Sequence, residues 1–450
     1  MYSDSQTYVT GELIKDGKLA IGDGYRAKNI ELAGVGIPFA RAGNIDNGFL
    51  FDGADRFPEE DLAKVGEKIS RPGDVVFTSK GTVGRFAFVR EETPRFVFSP
   101  QLCYWRSLDT DFIDPHYLYY WMNGREFWAQ ASAVKGETDM ADYVSLTDQR
   151  RMKLTLPPIS VQREIRKILG ALDDKIELNH QMNHTLEAMA QAIFKSWFVD
   201  FDPVTAKAEG RQPYGMKAET SALFPSHFVE SELGPIPEGW EPTAIGDLCN
   251  LTPGRSYASK DLQESTTALV TLKSFERGGG YKQNGLKPYT GKYKDEQVVN
   301  PGELIVARTD VTQNAEVIGR PAIVRGNSKY NTLVASLDVM IVRSNIPDVG
   351  VPFLYCLMRN EEFVGHIVGH ANGTTVLHLS KDGIPAYRFA KPSSELCKRF
   401  DDIAQPIFKK FDQNEQENGR LSVMRDMLLP KLLSGEIRVK HTGKQAEAVA

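Results

Sequence analysis

Two short segments of this 450-residue chain carry side chains suited to contacts with DNA. In the first half, Lys80-Gly81-Thr82 is followed by Arg85, between two strand-like runs. Glycine lets a backbone approach phosphates, while lysine and arginine neutralise phosphates or bond guanine edges. In the second half, the equivalent segment holds Arg308-Thr309 and Gln313-Asn314. Arginine suits guanine and the two amides suit adenine, so both segments are predicted to read bases.

Polar residues on other predicted turns extend these two groups. Some follow a strand-like run, some lie on a Gly-rich loop, and some lie in Gly-Xaa-Thr segments that precede a long helical pattern. A single such residue can equally be a solvated surface side chain, but loops on rigid scaffolds commonly carry recognition. The candidate DNA-contacting residues are Arg41, Asn44, Lys80, Gly81, Thr82, Arg85, Thr138, Lys273, Arg277, Tyr281, Arg308, Thr309, Gln313, Asn314, Thr374 and Thr375.

The chain lacks the patterns that usually carry catalysis or bind nucleotides and metals. It has no GxxxxGK[ST] segment, so no P-loop is predicted. His366, His370 and His378 have no supporting cysteine or HExxH pattern, so no metal site is predicted. The 4 cysteines form no CxxC pair, which predicts buried free thiols in a reducing compartment. A nuclease built from dispersed carboxylates stays an open alternative.

The sequence that flanks these loops is repeated. Several short segments of the first half recur in the second half with their residue numbers shifted by 235. Gly84-Arg85-Phe86 matches Gly319-Arg320-Pro321, and Pro157 matches Pro392. Pro72-Gly73-Asp74 instead matches Pro301-Gly302-Glu303, at an offset of 229. The difference between the two offsets falls in one loop, 77–83 against 306–318. A repeated scaffold with two different loops predicts two sites of one kind that read different things.

Each copy ends in a long helical pattern with apolar residues spaced three or four residues apart, which is typical of helices that pack knobs-into-holes. The first seam is Ile165, Leu169, Leu172, Ile176, Asn179, Asn183, Leu186, Ala190, Ile193 and Trp197. The second seam is Phe400, Ile403, Ile407, Phe411, Asn414, Asn418, Leu421, Met424 and Leu428. If the helices pair antiparallel, Asn179 faces Asn418 and Asn183 faces Asn414. We expect this asparagine cluster to fix the register of the pair; the alternative places it on the solvent edge.

Composition allows two or three domains and adds few restrictions. Hydrophobic content of 41% and charged content of 25% are ordinary for a globular protein. Neither a signal peptide nor a run of 18 apolar residues is visible, so no membrane span and a cytoplasmic location are predicted. The net charge of −5 weakens the DNA interpretation without removing it, because a basic face can hide in such a total.

These features together resemble the specificity subunit of type I restriction–modification systems. The resemblance is carried by Leu156-Pro-Pro-Ile-Ser-Val-Gln-Arg-Glu-Ile165, Phe194-Lys-Ser-Trp-Phe-Val-Asp-Phe-Asp-Pro203, Gly234-Pro-Ile-Pro-Glu-Gly-Trp-Glu241 and Leu428-Leu-Pro-Lys-Leu-Leu-Ser-Gly-Glu-Ile437. It departs at Lys391-Pro-Ser-Ser-Glu-Leu-Cys397, where the fuller Leu-Pro-Pro…Gln form is missing. That departure bears on one docking surface.

The resemblance implies an α/β fold with an internal pseudo-twofold repeat: two target-recognition domains of short strands separated by two long helices in an antiparallel coiled coil. The expected order is recognition domain 1–156, helix 157–198, connector 199–236, recognition domain 237–391, helix 392–435 and tail 436–450. Below, 1–156 and 237–391 are called the first and second heads.

The resemblance also implies a function without catalysis. Each head would read one half of a split, asymmetric sequence in double-stranded DNA. The helices would dock two copies of a methyltransferase subunit, joined by an ATP-dependent restriction subunit, and S-adenosylmethionine, ATP and Mg²⁺ would belong to those partners. Adenine methylation needs a pocket for a flipped base, and the Asn/Asp-Pro-Pro-aromatic motif for it is absent. An adaptor that reads no DNA is the remaining alternative.

Overall fold

The computed structural model describes residues 2, 4–32, 34–45, 48–81, 83–134, 143–312, 314–327 and 329–439. The chain divides into two compact units, Met1–Leu178 with Glu417–Ala450, and Asn179–Gln416. The predicted domain order separates heads from helices, whereas this division cuts each long helix and assigns its two halves to different units. The two units are described separately below.

The chain is mixed α/β with two long helices, and none of the helices in its described residues is long and apolar enough to span a membrane. In chain order the helices are α1 (Thr10–Lys15), α2 (Pro115–Asn123), α3 (Arg125–Val134), α4 (Leu146–Arg151), α5 (Ile159–Phe198), α6 (Asp202–Ala208), α7 (Ala218–Ala222), α8 (Ile245–Leu248), α9 (Val351–Arg359), α10 (Glu361–Gly369) and α11 (Ser394–Ser434).

Two helix predictions were wrong in the same way. The aromatic and apolar residues of the segments 115–130 and 351–365 predict one helix in each segment. Each segment instead forms a pair of shorter helices. The backbone is extended at Gly124 (ψ 168°) and at Asn360 (ψ 143°), which ends the first helix of each pair. The aromatic spacing continues through both breaks, because both helices of each pair pack into the same core.

The strands are short. They are β1 (Gln6–Val9), β2 (Leu19–Asp23), β3 (Ile37–Ala40), β4 (Arg56–Phe57), β5 (Val75–Thr78), β6 (Phe86–Phe88), β7 (Val97–Phe98), β8 (Leu102–Ser107), β9 (Lys153–Leu156), β10 (Phe228–Ser231), β11 (Gly234–Pro237), β12 (Glu241–Ala244), β13 (Cys249–Pro253), β14 (Thr267–Val270), β15 (Lys287–Pro288), β16 (Val298–Val299), β17 (Leu304–Ala307), β18 (Thr309–Asp310), β19 (Pro321–Ile323), β20 (Thr332–Ala335), β21 (Val339–Ser344), β22 (Ala371–Asn372), β23 (Leu377–Leu379) and β24 (Arg388–Lys391).

In the first unit, an antiparallel sheet of order β2-β8-β5-β6 carries the core, and a smaller sheet of order β4-β3-β7 lies beside it in sequence. Strand β5 is buried along its whole length, as expected of a central strand covered on both faces. Trp105, Trp121 and Phe127 pack in this core, and Leu169 of α5 and Leu432 of α11 join it. The core therefore anchors the head to the helices of its own unit.

The second unit repeats this strand order, with sheets β13-β21-β17-β19 and β15-β14-β20-β16. The repeat extends to individual pairs. Gln6 pairs with Leu156 between β1 and β9, and Glu241 pairs with Lys391 between β12 and β24, an offset of 235 on both strands. The duplication seen in the sequence is therefore also a duplication of backbone pairing.

An arginine–carboxylate pair crosses the main sheet of each unit, buried in the first and partly buried in the second. Arg106 on β8 bonds Asp74 through Nε at 2.6 Å and Nη2 at 2.8 Å. Arg343 on β21 bonds Glu303 through Nε at 2.6 Å. Two parallel N–H···O bonds satisfy both groups of such a pair, which is what makes its burial tolerable. Asp74 and Glu303 are related by the same numbering shift as the Pro-Gly turns just before them, so the two pairs are equivalent positions of the repeat.

The long helices run antiparallel to each other within each unit. In the first unit, Arg425 of α11 bonds Asp173 of α5 at 2.9 Å, and Glu417 lies 3.3 Å from Lys175. In the second unit, the ring of Trp197 lies 6.2 Å from that of Phe400. All the predicted seam positions are at least partly buried except Met424, which is 50% exposed. Met424 was wrongly placed in the seam.

The second unit also contains one of the predicted asparagine pairs. Asn414 donates from Nδ2 to Oδ1 of Asn183 at 2.8 Å, and Asn183 donates to Glu415 at 2.7 Å. Both asparagines are buried, as are Asn179 and Asn418. The solvent-edge alternative is therefore excluded for these four side chains, while their role in fixing the register stays a prediction.

The helix after the main sheet is capped differently in the two units. In the first, Asp114 caps α2 by accepting from the amides of His116 and Tyr117 at 3.0 Å, and Arg166 of α5 lies 3.3 Å from the same carboxylate. In the second, the N-cap of α9 is Gly350, which has no side chain. Asp401 of α11 replaces the missing cap and accepts from the amides of Gly350 at 2.6 Å and Phe353 at 2.9 Å.

Asp401 should make the stability of the second unit depend on pH. Burial raises its pKa from 3.8 to about 6. The stabilisation from the protonated form is complete below pH 3.8 and is lost as the pH rises through about 6. We expect Asp401→Asn, which keeps an accepting oxygen without a buried charge, to flatten this loss in thermal unfolding between pH 4 and 7. Asp402→Asn, at the exposed neighbour, should keep most of the wild-type slope.

The Asn183–Asn414 bond can be tested by a double-mutant cycle. Asn183→Leu alone leaves the buried amide of Asn414 without its acceptor, at a cost of about 1–3 kcal/mol in the free energy of unfolding. Asn183→Leu with Asn414→Leu should recover most of that loss, because both buried amides are removed. Denaturant unfolding of the three variants measures the coupling, and strictly additive losses would contradict a direct pair.

Candidate nucleic-acid interface

In each unit, the variable loop joins two strands of the main sheet and is closed by an equivalent backbone hydrogen bond. The amide of Gly84 donates to Thr78 O at 3.1 Å, and the amide of Gly319 donates to Ala307 O at 2.8 Å. Both glycines have positive φ, and a Cβ on Gly84 would lie 2.0 Å from the ring of Trp128. Glycine is therefore required at the end of this loop. The additional residues of the second unit lie between the two closing residues.

In the first unit, the loop is held by a single bridge between Lys80 and Tyr143. The amide of Val144 also donates to Ser79 O at 3.0 Å. The ammonium of Lys80 lies 6.0 Å from the Tyr143 ring centroid, and both side chains are exposed. Gly81 has φ +86°, which favours glycine. Thr82 and Thr138 lie outside the described residues.

Arg41, Asn44 and Arg85 come together beside this loop, but their side chains are already engaged. Asn44 accepts from the Arg41 amide at 2.8 Å and donates to Leu50 O at 2.8 Å, so it shapes the turn after β3. Arg85 donates to Ile45 O at 3.3 Å and therefore braces the same turn. Arg41 is paired with Asp55 at 2.5 Å and stays half exposed. Of the three, Arg41 is the best placed to exchange its partner for a nucleic acid.

In the second unit, Asp310 organises the longer loop. Its carboxylate accepts from the amides of Thr312 at 2.8 Å, Val317 at 2.6 Å and Ile318 at 3.2 Å. Burial alone would raise the pKa of Asp310, yet these hydrogen bonds, that from Val317 foremost, outweigh it and hold the pKa below its ordinary value. The ionised carboxylate thus ties the two ends of the insertion together.

The Gly-rich segment around Arg277 contacts this loop. The amide of Gly278 donates to Glu316 O at 2.8 Å, and Arg277 lies 3.2 Å from the Glu316 carboxylate. Arg277 and Lys273 are exposed. Tyr281 was wrongly predicted as a contact residue: it is 7% exposed and packs in the apolar core behind the sheet. A loop residue next to glycines can face inwards, which its sequence position does not reveal.

Thr309 is also corrected by the structure. It lies in β18, is 6% exposed, and donates its hydroxyl to Asp338 at 3.0 Å. Its strand partner is His378 of β23, which is exposed. Thr374 and Thr375 are exposed on the turn between β22 and β23, and Asn314 is exposed on the loop. Arg308 is half-buried, and Gln313 lies outside the described residues.

Sequence reasoning missed Tyr143 and His378, which lie opposite the two loops. Lys80 pairs with Tyr143, and Thr309 pairs with His378. The loop residues Lys80 and Thr309 are related by the offset of 229. Their partners are related by the offset of 235. Both offsets were visible in the sequence, but neither shows which residues pair across the loop, so Tyr143 and His378 could not be identified from them.

Among the residues that the structure describes, no group of three or more His, Cys, Asp and Glu side chains could hold a metal ion. His366 and His370 stack at 4.2 Å and each ring bonds a backbone carbonyl, of Gly383 and His366 respectively. All four cysteines are free and buried. Within the described ranges, the loops thus present hydrogen-bonding and cationic side chains without a metal centre.

Part of the chain matches a known protein family, and two relatives are similar over most of its length. Residues 18–188 match the family model described as the type I restriction modification DNA specificity domain. The chain is 26% identical over 428 residues to the type I restriction enzyme HindI specificity subunit of Haemophilus influenzae, with 84% of this chain and 89% of that protein covered. It is 23% identical to the MjaIX specificity subunit of Methanocaldococcus jannaschii, over 95% of this chain and 93% of that protein.

Among solved structures, the chain is similar to the type I restriction–modification S subunit from M. genitalium. The TM-score is 0.49 at 12% sequence identity, and the match covers 95% of this chain and 96% of that chain.

Asp310→Ala tests the organisation of the second loop. The variant leaves the amides of Val317 and Ile318 without their acceptor, so the insertion should open. We expect amide hydrogen exchange at these two residues to accelerate about tenfold or more, because about 1.4 kcal/mol corresponds to a factor of ten. Asp247→Ala, at an exposed carboxylate of α8, is the matched control. Unchanged exchange in Asp310→Ala would contradict this role.

Proposed function

We propose that this chain, a relative of the type I restriction enzyme specificity subunits, is the DNA sequence-specificity subunit of a type I restriction–modification complex. Each head binds one half of a split, asymmetric target in double-stranded DNA. The observation that carries the proposal is the matched pair of loops: equal scaffolds, closed by equal backbone bonds, present different side chains. Loops on a rigid scaffold are the usual place for recognition, and unequal loops suit unequal half-sites.

The side chains at these loops suit DNA. Arg41, Lys80 and Arg277 are exposed cations that can neutralise phosphates or bond guanine, and Asn314 can bond adenine. Two of these three cations have acidic neighbours: Arg41 lies beside Asp55 and Arg277 beside Glu316. Such exposed pairs are worth little, so a phosphate can replace the carboxylate at small cost.

The two long helices complete the proposed subunit. They form an antiparallel coiled coil whose asparagines fix the register, and they dock two copies of a methyltransferase subunit and an ATP-dependent restriction subunit. The chain carries no catalytic site. S-adenosylmethionine, ATP and Mg²⁺ act in the partners, and the assembly works in the cytoplasm.

The test is the pattern of methylation in cells that express the full chain with its methyltransferase partner. We expect one methylated target made of two unlike half-sites separated by a fixed gap of unspecified bases. Exchanging residues 77–83 for 306–318 should alter one half-site and leave the other intact.

Three outcomes would contradict the proposal. A continuous target without a gap would exclude two separate readers. DNA cleavage or methylation by the purified chain alone would make it an enzyme. An assembled complex with no sequence-selective, salt-dependent DNA binding would make the chain an adaptor.

A further inference from the structure

One bridged position has the same backbone environment in both units and different side chains. Lys80 bridges Tyr143 in the first unit, and Thr309 pairs with His378 in the second. Lys80 and Thr309 are related by the offset of 229 found before the variable loop. Tyr143 and His378 are related by the offset of 235 found after it. The two pairs are therefore equivalent sites of the repeat.

The backbone at both sites is fixed by equivalent hydrogen bonds. The amide before the loop residue donates to a neighbouring turn, Ser79 to Gln101 O at 2.9 Å and Arg308 to Asp338 O at 2.7 Å. The amide after the partner donates back, Val144 to Ser79 O at 3.0 Å and Leu379 to Arg308 O at 2.8 Å. The paired residues are thus held on ordered backbone, which base recognition requires.

The exposed chemistry at the two sites differs. In the first unit, Lys80 is exposed and Tyr143 is 42% exposed, and they present an ammonium beside a phenol. In the second unit, Thr309 is buried against Asp338, so His378 alone is presented. An ammonium only donates hydrogen bonds, whereas a neutral imidazole donates at one nitrogen and accepts at the other.

We propose that these two sites determine the half-site specificity of the chain, which rests on the function proposed above. Lys80, supported by Tyr143, contacts a base edge that only accepts hydrogen bonds, the O6 and N7 edge of guanine. His378 contacts an edge that accepts and donates, the N7 and N6 edge of adenine. Neither Tyr143 nor His378 was among the candidate contacts from the sequence.

The test transplants the second site into the first. Lys80→Thr with Tyr143→His is introduced into the full chain, which is assembled with its methyltransferase partner and used to methylate a library of targets. At one position of one half-site, methylation of targets with guanine should fall about tenfold or more relative to adenine. The other half-site and the gap should stay unchanged, which also reports that the variant is folded.

A mirror variant and a control complete the design. His378→Lys should alter one position of the opposite half-site. Lys64→Thr with Tyr214→His makes the same residue changes at exposed positions outside the bridge and should keep the wild-type target. If the double variant no longer methylates, Lys80→Gln replaces it, and this variant should still lower the guanine preference at the same position.

Two results overturn the inference. One is an unchanged base preference in Lys80→Gln and His378→Lys. The other is a uniform loss over all sequences with a salt slope lower by about one, which would place Lys80 on a phosphate. Failure of the proposed function is distinguishable, because the wild-type complex would then yield no split target before any substitution is made.

Discussion

Two short antiparallel pairings, β1 with β9 and β12 with β24, close each head on itself. The second strand of each pairing is followed within three residues by a long helix, Ile159 after Leu156 and Ser394 after Lys391. Each pairing brings the first and last strands of a head together, so the chain between them forms one enclosed segment. The long helix begins directly after that segment. The main sheets, the variable loops and the capped helices α2 and α9 lie inside these two enclosed segments, whereas the β10-β11 pair lies between them.

In each enclosed segment, an arginine of the main sheet is neutralised by a carboxylate beside the neighbouring strand. The pairs Arg106–Asp74 and Arg343–Glu303 cross the main sheet, and each arginine also donates to a backbone carbonyl, of Ile69 and Val298 respectively. Removing one partner of the buried Arg106–Asp74 pair would leave an uncompensated buried charge, so this pair tolerates little change. The loops a few residues further on differ in length and in side chains between the two units, and the second depends on its own buried carboxylate, Asp310.

Much of the architecture was predictable because it is periodic or repeated. The heptad spacing predicted the two long helices, and the repeated sequence anchors predicted equivalent strands. The breaks at Gly124 and Asn360 were not predictable, because the same core is continuous on both sides of them. The inward positions of Tyr281 and Thr309 depend on residues distant in the sequence, a core behind the sheet and Asp338. Tyr143 and His378 were missed because strand pairing across a loop leaves no local pattern.

The N-termini of α2 and α9 are capped by residues from different parts of the chain. This difference limits how freely the two heads can be recombined. The first head brings its own cap, Asp114, and its helix supplies a cation, Arg166. The second head has glycine at that place and borrows Asp401 from its helix. If the second head were grafted onto the first helix, Arg166 would replace Asp401, and a guanidinium would meet the positive end of α9 with no acceptor for its amides. Each head therefore matches the helix that follows it, and a hybrid that exchanges a head also needs the matching substitution at position 166 or 401 of the helix.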